Sequence, residues 1–419
     1  MPSDFTIETA RDEPTLLDYA RVISRAFTWP QDMARAWALS TEPETVRVAR
    51  AHTGEVLAGL YLIPMGQLFA ARSVSLEGVA AVVVEPDARG MGLAHALLMH
   101  ALRDMHARGV ALSGLFPASW HVYRKSGYEL AGVRAEARLD LRRIEPPRAH
   151  ASVQAPRVRR ADIDPRTPMG PDFAALQAVY ARTAHLTSGR LDRSTYIWSQ
   201  KILSYRGDDS EVFLYETADG QPVGYVALAR LRPSLSEPPT MHIRDMEAAT
   251  PDAARALLSF LAGHRSIITE AHWLTGPTHP ILLAMPERIA GMRILDHWMI
   301  RPVDLAAAFA QRGYPRHARA ELALDLHDDP IEQNNRAWRI SIDHGRGACE
   351  PIESAQARAL PRVRAHIRAL GPLYSIYQTA TALGAGDQQV VDFADIFGYD
   401  IDFQREVHTG DRFGMLYET

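Results

Sequence analysis

The chain has 419 residues, enough for two to four domains at roughly 100–200 residues each, and its 47% apolar and 23% charged residues exclude a disordered, collagen-like or coiled-coil protein. The formal net charge is −4 and no basic tract occurs, so nucleic acid is not expected as a partner. The single cysteine, Cys349, excludes an internal disulfide, and the lack of a signal peptide or long apolar run predicts a cytoplasmic protein with no membrane partner.

Residues 1–145 alternate between helical and strand patterns, which predicts an α/β layered domain. The predicted elements are a helix at 14–27, a hairpin of strands at 46–51 and 56–63, a buried strand at 79–84, a helix at 93–108 and a strand at 110–116. The second helix has the clearest pattern, because six apolar side chains recur at 3.6-residue spacing on one face: Leu93, Leu97, Leu98, Ala101, Leu102 and Met105.

Part of this pattern returns after residues 144–171, whose six prolines and few large apolar residues are typical of a linker. A second hairpin is predicted at 211–216 and 223–231, then a strand near 241–246 and a helix that Thr250 caps and Pro251 opens. A period of about 160 residues favours a duplicated domain, although two unrelated α/β domains would give a similar pattern. Strands at 321–326 and 338–342 and helices at 354–370 and 373–383 predict an α+β third domain.

The segment Val82-Val83-Val84-Glu85-Pro86-Asp87-Ala88-Arg89-Gly90-Met91-Gly92-Leu93-Ala94 places a buried strand, a glycine loop and a helix in succession. The first amides of a helix lack intrahelical acceptors, so they can bind a phosphate that glycines allow to approach, and Arg89 can add a charge-assisted contact. A simple strand–helix turn could have the same six central residues, but the flanking strand and long amphipathic helix favour a phosphate site.

The second copy has Met246-Glu247-Ala248-Ala249-Thr250-Pro251-Asp252 at the corresponding place. This segment contains no glycine, Pro251 removes one N–H donor, and two carboxylates repel a phosphate. The sequence therefore predicts one phosphate-binding site per chain, in the first domain.

The stretch Arg89–Ala94 resembles the Arg/Gln-x-x-Gly-x-Gly/Ala loop of the GCN5-related N-acetyltransferases (GNATs), and Ala118-Ser119-Trp120-His121-Val122-Tyr123-Arg124-Lys125-Ser126-Gly127-Tyr128 resembles their late helix. The order of motifs is similar to that of the enhanced intracellular survival (Eis) acetyltransferases: Asp296-His297-Trp298-Met299-Ile300-Arg301, then Ala306 to Arg312-Gly313-Tyr314, Leu373-Tyr374 and Leu416-Tyr417-Glu418-Thr419. This resemblance implies an α/β (α+β) fold with a GNAT domain at 1–145, a degenerate GNAT-like domain at 155–297 and a sterol-carrier-protein-like domain at 298–419. It also implies a homo-hexamer.

The resemblance further assigns site residues. Acetyl-CoA is expected to be bound by the strand end, the loop and the late helix, through Val82, Val83, Val84, Arg89, Gly90, Met91, Gly92, Leu93, Ala94, His95, Ser119 and Trp120. Tyr123 is the expected general acid, since a phenol with a pKa of about 10 is protonated at pH 7. The α-carboxylate of Thr419 is the expected base. Because such a group has an ordinary pKa of about 3.5, Glu418 and His121 remain alternatives.

A polycationic amine needs a pocket with ionised carboxylates and aromatic faces. The expected substrate-binding residues are Asp32, Trp37, Asp296 and Glu418, with a solvated acid or a packed aromatic as the alternative for each. Two positions depart from the family: Trp29 stands near the place of a common acid, and Ala81 replaces an expected aromatic. The 17 histidines show no ligand pair joined to an acidic partner, so no metal is expected.

Together these observations indicate an acetyl-CoA-dependent N-acetyltransferase that acts directly, in a ternary complex, on primary amines of a small polycation. The resemblance implies aminoglycosides, at one or more positions, and hence antibiotic resistance. The alternatives are an acetyltransferase for lysine or N-terminal amines of proteins, and a non-catalytic module that binds coenzyme A or lipid.

Overall fold

The computed structural model describes residues 5–145, 157–186, 188–205, 207–232, 234, 238–276, 279–283, 285 and 290–374. The chain divides into two compact units, one formed by 1–132 with 298–419 and the other by 133–297. Two long strands, Glu129–Asp140 and Ala290–Pro302, carry the chain from one unit to the other. No helix within the described ranges combines the length and hydrophobicity needed to cross a bilayer.

The first domain begins with an antiparallel meander and ends with a parallel strand. Its elements are β1 (Phe5–Thr9), α1 (Glu13–Phe27), α2 (Gln31–Leu39), β2 (Val46–Ala51), β3 (Val56–Phe69), β4 (Arg72–Val84), α3 (Leu93–Ala107), β5 (Leu112–Leu115), α4 (Trp120–Lys125) and β6 (Glu129–Asp140). Strands β1 to β4 pair antiparallel in chain order, and β5 adds parallel to β4. The buried residues of α3 are the six predicted from its periodicity, which confirms that face.

The second unit contains β7 (Arg157–Arg160), α5 (Pro171–Ala184), β8 (Leu191–Asp192), α6 (Thr195–Ile197), a π-helix (Trp198–Leu203), β9 (Ser204–Tyr205), β10 (Asp208–Asp209), β11 (Glu211–Glu216), β12 (Pro222–Leu231), β13 (Thr240–Ala248), α7 (Pro251–Ala262), β14 (Glu270–Thr275) and α8 (Pro280–Leu283). The last strand, β15 (Ala290–Pro302), begins in this unit and continues into the first unit from Trp298. Strands β7, β11, β12 and β13 pair antiparallel in this order, and β14 adds parallel to β13. This order and these directions repeat those of β1 to β5, as the predicted duplication requires.

The last described part contains α9 (Leu305–Gln311), β16 (Ala320–His327), β17 (Ala337–Asp343), β18 (Arg346–Pro351), α10 (Ser354–Ala357), β19 (Arg362–His366) and α11 (Ile367–Tyr374). Its sheet has the order β18-β17-β16-β19. One hydrophobic core joins this sheet to the first domain, because Phe69 and Leu76 from the first domain pack in the same cluster as Leu324 and Trp338. That shared core explains why the two segments form one compact unit.

Two sequence expectations were wrong and one element was missed. Residues 354–370 do not form a single helix, because Pro361 interrupts it and the alternating segment Arg362–His366 forms a strand parallel to β16. Part of the expected linker, Arg157–Arg160, is a strand paired with β11, and its three arginines conceal the apolar alternation that marks most strands. Helix α2 was not predicted.

Candidate active site

Strand β4 is longer than its partner β5, so within the described ranges one edge of β4 is unpaired beyond the end of β5. The paired residues run from Leu76 opposite Leu112 to Val79 opposite Leu115, whereas β4 continues to Val84. Beyond Val79, no strand among the described residues pairs with this edge of β4. Its backbone groups can therefore bind an extended amide-containing ligand in the manner of an added strand.

A β-bulge lies inside the open part of β4. The register with β3 shifts between Gly59 and Tyr61, and Ala81 has a φ of +47°, in the left-handed region that L-residues rarely adopt. The Tyr19 hydroxyl, from α1, donates a 2.6 Å hydrogen bond to the Ala81 carbonyl. Sequence reasoning missed this bulge, because alanine carries no signal for a positive φ.

The loop between β4 and α3 leaves several amides available. Gly90 and Gly92 have φ values of +87° and +81°, and a Cβ on either would meet no atom within 4 Å, so backbone conformation alone requires glycine there. Gly92 precedes α3 and supplies no side-chain cap. Among the described residues, none accepts a hydrogen bond from the amides of Gly90, Gly92, Leu93 or Ala94. The Arg89 side chain beside them is exposed.

The corresponding helix of the second unit is closed by its own residues. Thr250 Oγ1 accepts a 3.1 Å hydrogen bond from the Ala253 amide, and Pro251 has no N–H. Glu247, only 2% exposed, pairs with Arg190 and lies 3.6 Å from His279. Burial alone would raise the pKa of the Glu247 carboxyl, but hydrogen bonds from His279 and Arg190 lower it, so the group stays negative. This end of the second unit therefore lacks the glycine loop of the first domain, and the absence of a phosphate site there stays a prediction.

Tyr123 lies in α4, and Tyr128 follows the turn that ends this helix. The Tyr128 side chain is fully buried, and its hydroxyl lies 2.8 Å from Ser113 Oγ, which itself donates to the Glu77 carbonyl at 3.0 Å. Because Ser113 has one hydroxyl proton, Tyr128 must donate to it. Burial raises the pKa of Tyr128 to about 12. Tyr128 is thus a structural residue.

Tyr123 differs from Tyr128 in having a hydroxyl without a partner. Its side chain is 7% exposed, and no described residue forms a hydrogen bond with its hydroxyl. Burial raises the pKa of this phenol above its ordinary value, so it stays protonated at neutral pH. The ring packs edge-on against Tyr128 with centroids 6.3 Å apart, in the same hydrophobic cluster as Leu93. This protonated donor therefore belongs to the same cluster as the start of α3.

The start of α3 and the end of α4 also meet through polar atoms. His95 Nδ1, in the first turn of α3, lies 3.5 Å from Ser126 Oγ, which follows α4. Ser119 precedes α4 and its side chain forms no cap, whereas Trp120 is exposed and stacks with the Arg124 guanidinium at 5.3 Å. The structure thus brings together the loop and late-helix residues that the sequence assigned to acetyl-CoA.

The other expected site residues lie in three places. Trp37, on α2, packs edge-on against Tyr61 at 5.5 Å and Trp29 at 6.3 Å, and Asp32 is exposed in the first turn of that helix. Asp296 belongs to the second unit, where it pairs with Arg134. His121, the alternative base, is an exposed residue of α4. Glu418 and Thr419 lie outside the described residues, so their roles stay predictions.

One group of possible metal ligands occurs in the described part of the chain. His327, Asp329 and His366 have ligand atoms within 4.8 Å of one another. The Arg368 amide donates a 3.2 Å hydrogen bond to His366 Nδ1, so the proton of a neutral ring is on Nε2, which faces Asp329. In that tautomer Nε2 carries a proton, so it has no lone pair to offer a metal ion.

Cys349 is not available as a nucleophile. It is 4% exposed, and burial raises the pKa of its thiol well above the ordinary value.

Comparison with known proteins agrees with this geometry. Profiles of the acetyltransferase (GNAT) domain match residues 9–131 and 189–302, and a sterol carrier protein domain profile matches residues 305–388. The chain contains two GNAT acetyltransferase domains followed by a sterol carrier domain. The predicted fold class is therefore confirmed, and the unpaired edge of β4 belongs to the first GNAT domain.

Two of the proteins that are similar to this chain over long stretches are named as N-acetyltransferases. An uncharacterized N-acetyltransferase of Streptomyces griseus is 24% identical over 278 residues, and the match spans 61% of this chain but only 63% of the relative's length. A GCN5-related N-acetyltransferase from Anabaena variabilis has a TM-score of 0.81 and 26% identity, covering 94% of this chain and 97% of that one. Eis1 from Mycobacterium abscessus has a TM-score of 0.70 over the same shares, and at 20% identity that likeness concerns the fold alone.

The two tyrosines give opposite predictions for stability. Tyr128→Phe removes a buried hydrogen bond and should lower the free energy of unfolding by about 1–2 kcal/mol. Tyr123→Phe removes a hydroxyl with no protein partner and should change it by less than about 0.5 kcal/mol. Urea unfolding of both variants measures the difference, and equal losses would contradict the assigned contacts.

Proposed function

We propose that this chain is an acetyl-CoA-dependent N-acetyltransferase with one catalytic site, in its first GNAT domain. The observation that carries the proposal is the glycine loop, whose amides have no acceptor among the described residues and which follows the unpaired end of β4. A helix start with free amides binds a pyrophosphate, and the unpaired strand edge suits the amide-containing arm of coenzyme A. The closed helix start of the second unit favours one coenzyme site per chain.

The reaction requires proton transfers at both partners. An amine nitrogen attacks the thioester carbonyl, the C–S bond breaks and an amide forms, so the sulfur gains a proton and the nitrogen loses one. We assign the donor for the sulfur to Tyr123, since its phenol is protonated and has no partner among the described residues. We assign the base to the α-carboxylate of Thr419, with Glu418 and His121 as alternatives.

The acceptor we propose is a small polycationic amine. Trp29, Trp37 and Tyr61 form an aromatic cluster on the first domain, and aromatic faces attract ammonium groups. Asp32, exposed on the same helix as Trp37, adds a negative charge. Aminoglycosides are the class that the sequence resemblance implies. The hexamer and the cytoplasmic location stay predictions from the sequence.

A thiol-release screen tests this function directly. Acetyl-CoA is incubated with the protein and with aminoglycosides, polyamines or lysine peptides, and the free thiol is measured. The proposal expects release with aminoglycosides or polyamines. Thiol release with lysine peptides alone would indicate that the acceptor is a protein. No thiol release with any amine would favour a non-catalytic module.

Coenzyme binding should depend on Gly92 and occur once per chain. Gly92→Ala places a Cβ where the phosphate approaches and should weaken acetyl-CoA binding at least about tenfold in isothermal titration. Gly109→Ala is the matched control, because Gly109 ends the same helix with a φ of +71° and equally open space. Both variants should lose similar stability, about 1–2 kcal/mol. Two acetyl-CoA sites per chain, or equal acetyl-CoA affinity in the Gly92→Ala and Gly109→Ala variants, would contradict a single coenzyme site at this loop.

Loss of the Tyr123 hydroxyl should affect turnover and not coenzyme binding. Tyr123→Phe should lower kcat by about 10²–10⁴-fold with little change in the Kd for acetyl-CoA. Because burial raises the pKa of this acid, the wild-type kcat should fall on its alkaline side only above about pH 10. Tyr215→Phe is the control, since this buried tyrosine of the second unit also has no hydroxyl partner within the described ranges.

The base assignment can be tested by extending the chain. Residues appended after Thr419 move the terminal carboxylate, so we expect kcat to fall while acetyl-CoA still binds. Removing the extension with a protease that restores Thr419 as the last residue is the control and should restore kcat. An extended enzyme with full turnover would shift the assignment to Glu418 or His121.

A further inference from the structure

A fully buried ion pair lies next to the turn that carries Tyr123. Arg301, in β15, and Asp328, after β16, both have completely buried side chains, and Arg301 Nη2 donates to Asp328 Oδ2 at 2.6 Å. Asn334 Nδ2 donates to the same carboxylate oxygen at 2.7 Å and to the Val303 carbonyl at 3.0 Å. All of these residues belong to one compact unit with the first domain.

Stability alone explains this pair poorly. Removing two charges from water is costly, and replacing a buried ion pair by apolar residues often leaves a protein as stable or more stable. Here the opposite carboxylate oxygen, Asp328 Oδ1, has no hydrogen-bond partner, so the pair is not fully satisfied even by the network around it. The contact made by the other arm of Arg301 gives a more specific reason for its presence.

That arm holds the end of α4. Arg301 Nη1 donates to the Ser126 carbonyl at 2.7 Å. A Cβ on Gly127 would lie 2.6 Å from the same nitrogen, and Gly127 has a φ of +85°. Glycine is therefore needed both for the conformation of the turn and for the approach of the guanidinium.

The turn transmits this contact to Tyr123. The Tyr128 amide donates to the Tyr123 carbonyl at 3.1 Å, and the Gly127 amide donates to the Arg124 carbonyl at 3.1 Å, which is the Schellman pattern. The Ser126 amide also donates to the Tyr123 carbonyl, at 2.9 Å. Arg301 thus holds the carbonyl of Ser126, and the amide of the same residue donates to the Tyr123 carbonyl.

A second set of contacts also holds α4, through Glu129. Glu129 accepts from Arg124, on α4, at 2.6 and 2.9 Å and from Arg368, on α11, at 3.1 Å. Burial by itself would raise the pKa of the Glu129 carboxyl, but the hydrogen bonds from the two arginines outweigh burial. The pKa therefore lies below its ordinary value, and the carboxylate stays charged. Arg301 therefore holds the turn that ends α4, and Arg368, through Glu129, holds the helix that carries Tyr123.

We infer that Arg301, neutralised by Asp328, is a positioning residue that fixes the phenol of Tyr123 for proton transfer. This inference rests on the proposed function, in which Tyr123 is the acid. A misplacement of about 1 Å in a reacting group can cost about 100-fold in rate, so a tether at the adjacent turn can control turnover without touching substrate.

The test is a paired replacement that removes both charges and keeps the volume. Arg301→Met with Asp328→Leu should remain folded, with an unchanged Kd for acetyl-CoA, and its kcat should fall by about 10–100-fold. A looser turn exposes the phenol, which lowers its pKa, so the alkaline fall of kcat should move to lower pH. Arg193→Met with Asp245→Leu is the matched control, a buried pair of the second unit that should leave both readouts unchanged.

The Tyr123→Phe background separates the possible outcomes. If Arg301 acts through Tyr123, the paired replacement adds no further loss of kcat in that background. A further loss there, or a wild-type kcat and pH profile in the folded paired variant, overturns the inference and leaves the proposed function standing. A wild-type kcat in Tyr123→Phe alone overturns the acid role and the inference together.

A conservative variant covers the case of a paired variant that does not fold. Arg301→Lys keeps the charge beside Asp328 but lacks the guanidinium fork that reaches Ser126 at the same time. It should show the same fall in kcat and the same shift in pH profile, with acetyl-CoA binding retained. Unchanged turnover in this variant would also overturn the inference.

Discussion

The amides at the start of α3 are the constraint on which the site depends. Every α-helix begins with N–H groups that no residue of the helix can accept, and proteins usually satisfy them with a capping side chain. At α7 Thr250 does so, whereas at α3 the residue in that position is Gly92, which has no side chain to offer. The start of α3 therefore leaves amides open to a ligand, and an anion is the ligand that its partial positive charge favours.

The two GNAT domains share one topology but differ at the start of the helix that follows the fourth strand. Both sheets place a parallel strand beside the fourth strand of an antiparallel set, and both have a register shift in that fourth strand. In the second copy, two half-buried arginines pair with carboxylates of β13: Arg193 pairs with Asp245 and lies over the Tyr180 ring at 3.5 Å, and Arg190 pairs with Glu247. Fold and function separate here because the fold depends on the sheet and the site on a few loop residues.

The sterol carrier domain takes part in the first domain's structure. Its sheet shares a hydrophobic core with Phe69 and Leu76, and Gly313 lies so close to the chain at Phe69 that a Cβ there would come within 2.8 Å of the Phe69 carbonyl. Packing of this density transmits small displacements, because a close-packed core has little free volume to absorb them. The position of α4 is therefore set by distant residues as well as by its own sequence, since Arg301 contacts Ser126 across 175 positions of the chain.

The sequence by itself determined the elements with strong local signals: the apolar face of α3, the Thr250 cap, the glycine loop and the repeat of the hairpin. These follow from periodicity, capping and glycine conformation, which act over a few residues. Only the tertiary structure decided that Arg362–His366 is a strand, that Ala81 adopts a positive φ, that Tyr123 lacks a partner while Tyr128 has one, and that Arg301 contacts Ser126. Each of these depends on contacts between residues distant in the chain. Such contacts leave no local pattern, because many different residue pairs with suitable volume and charge can form them.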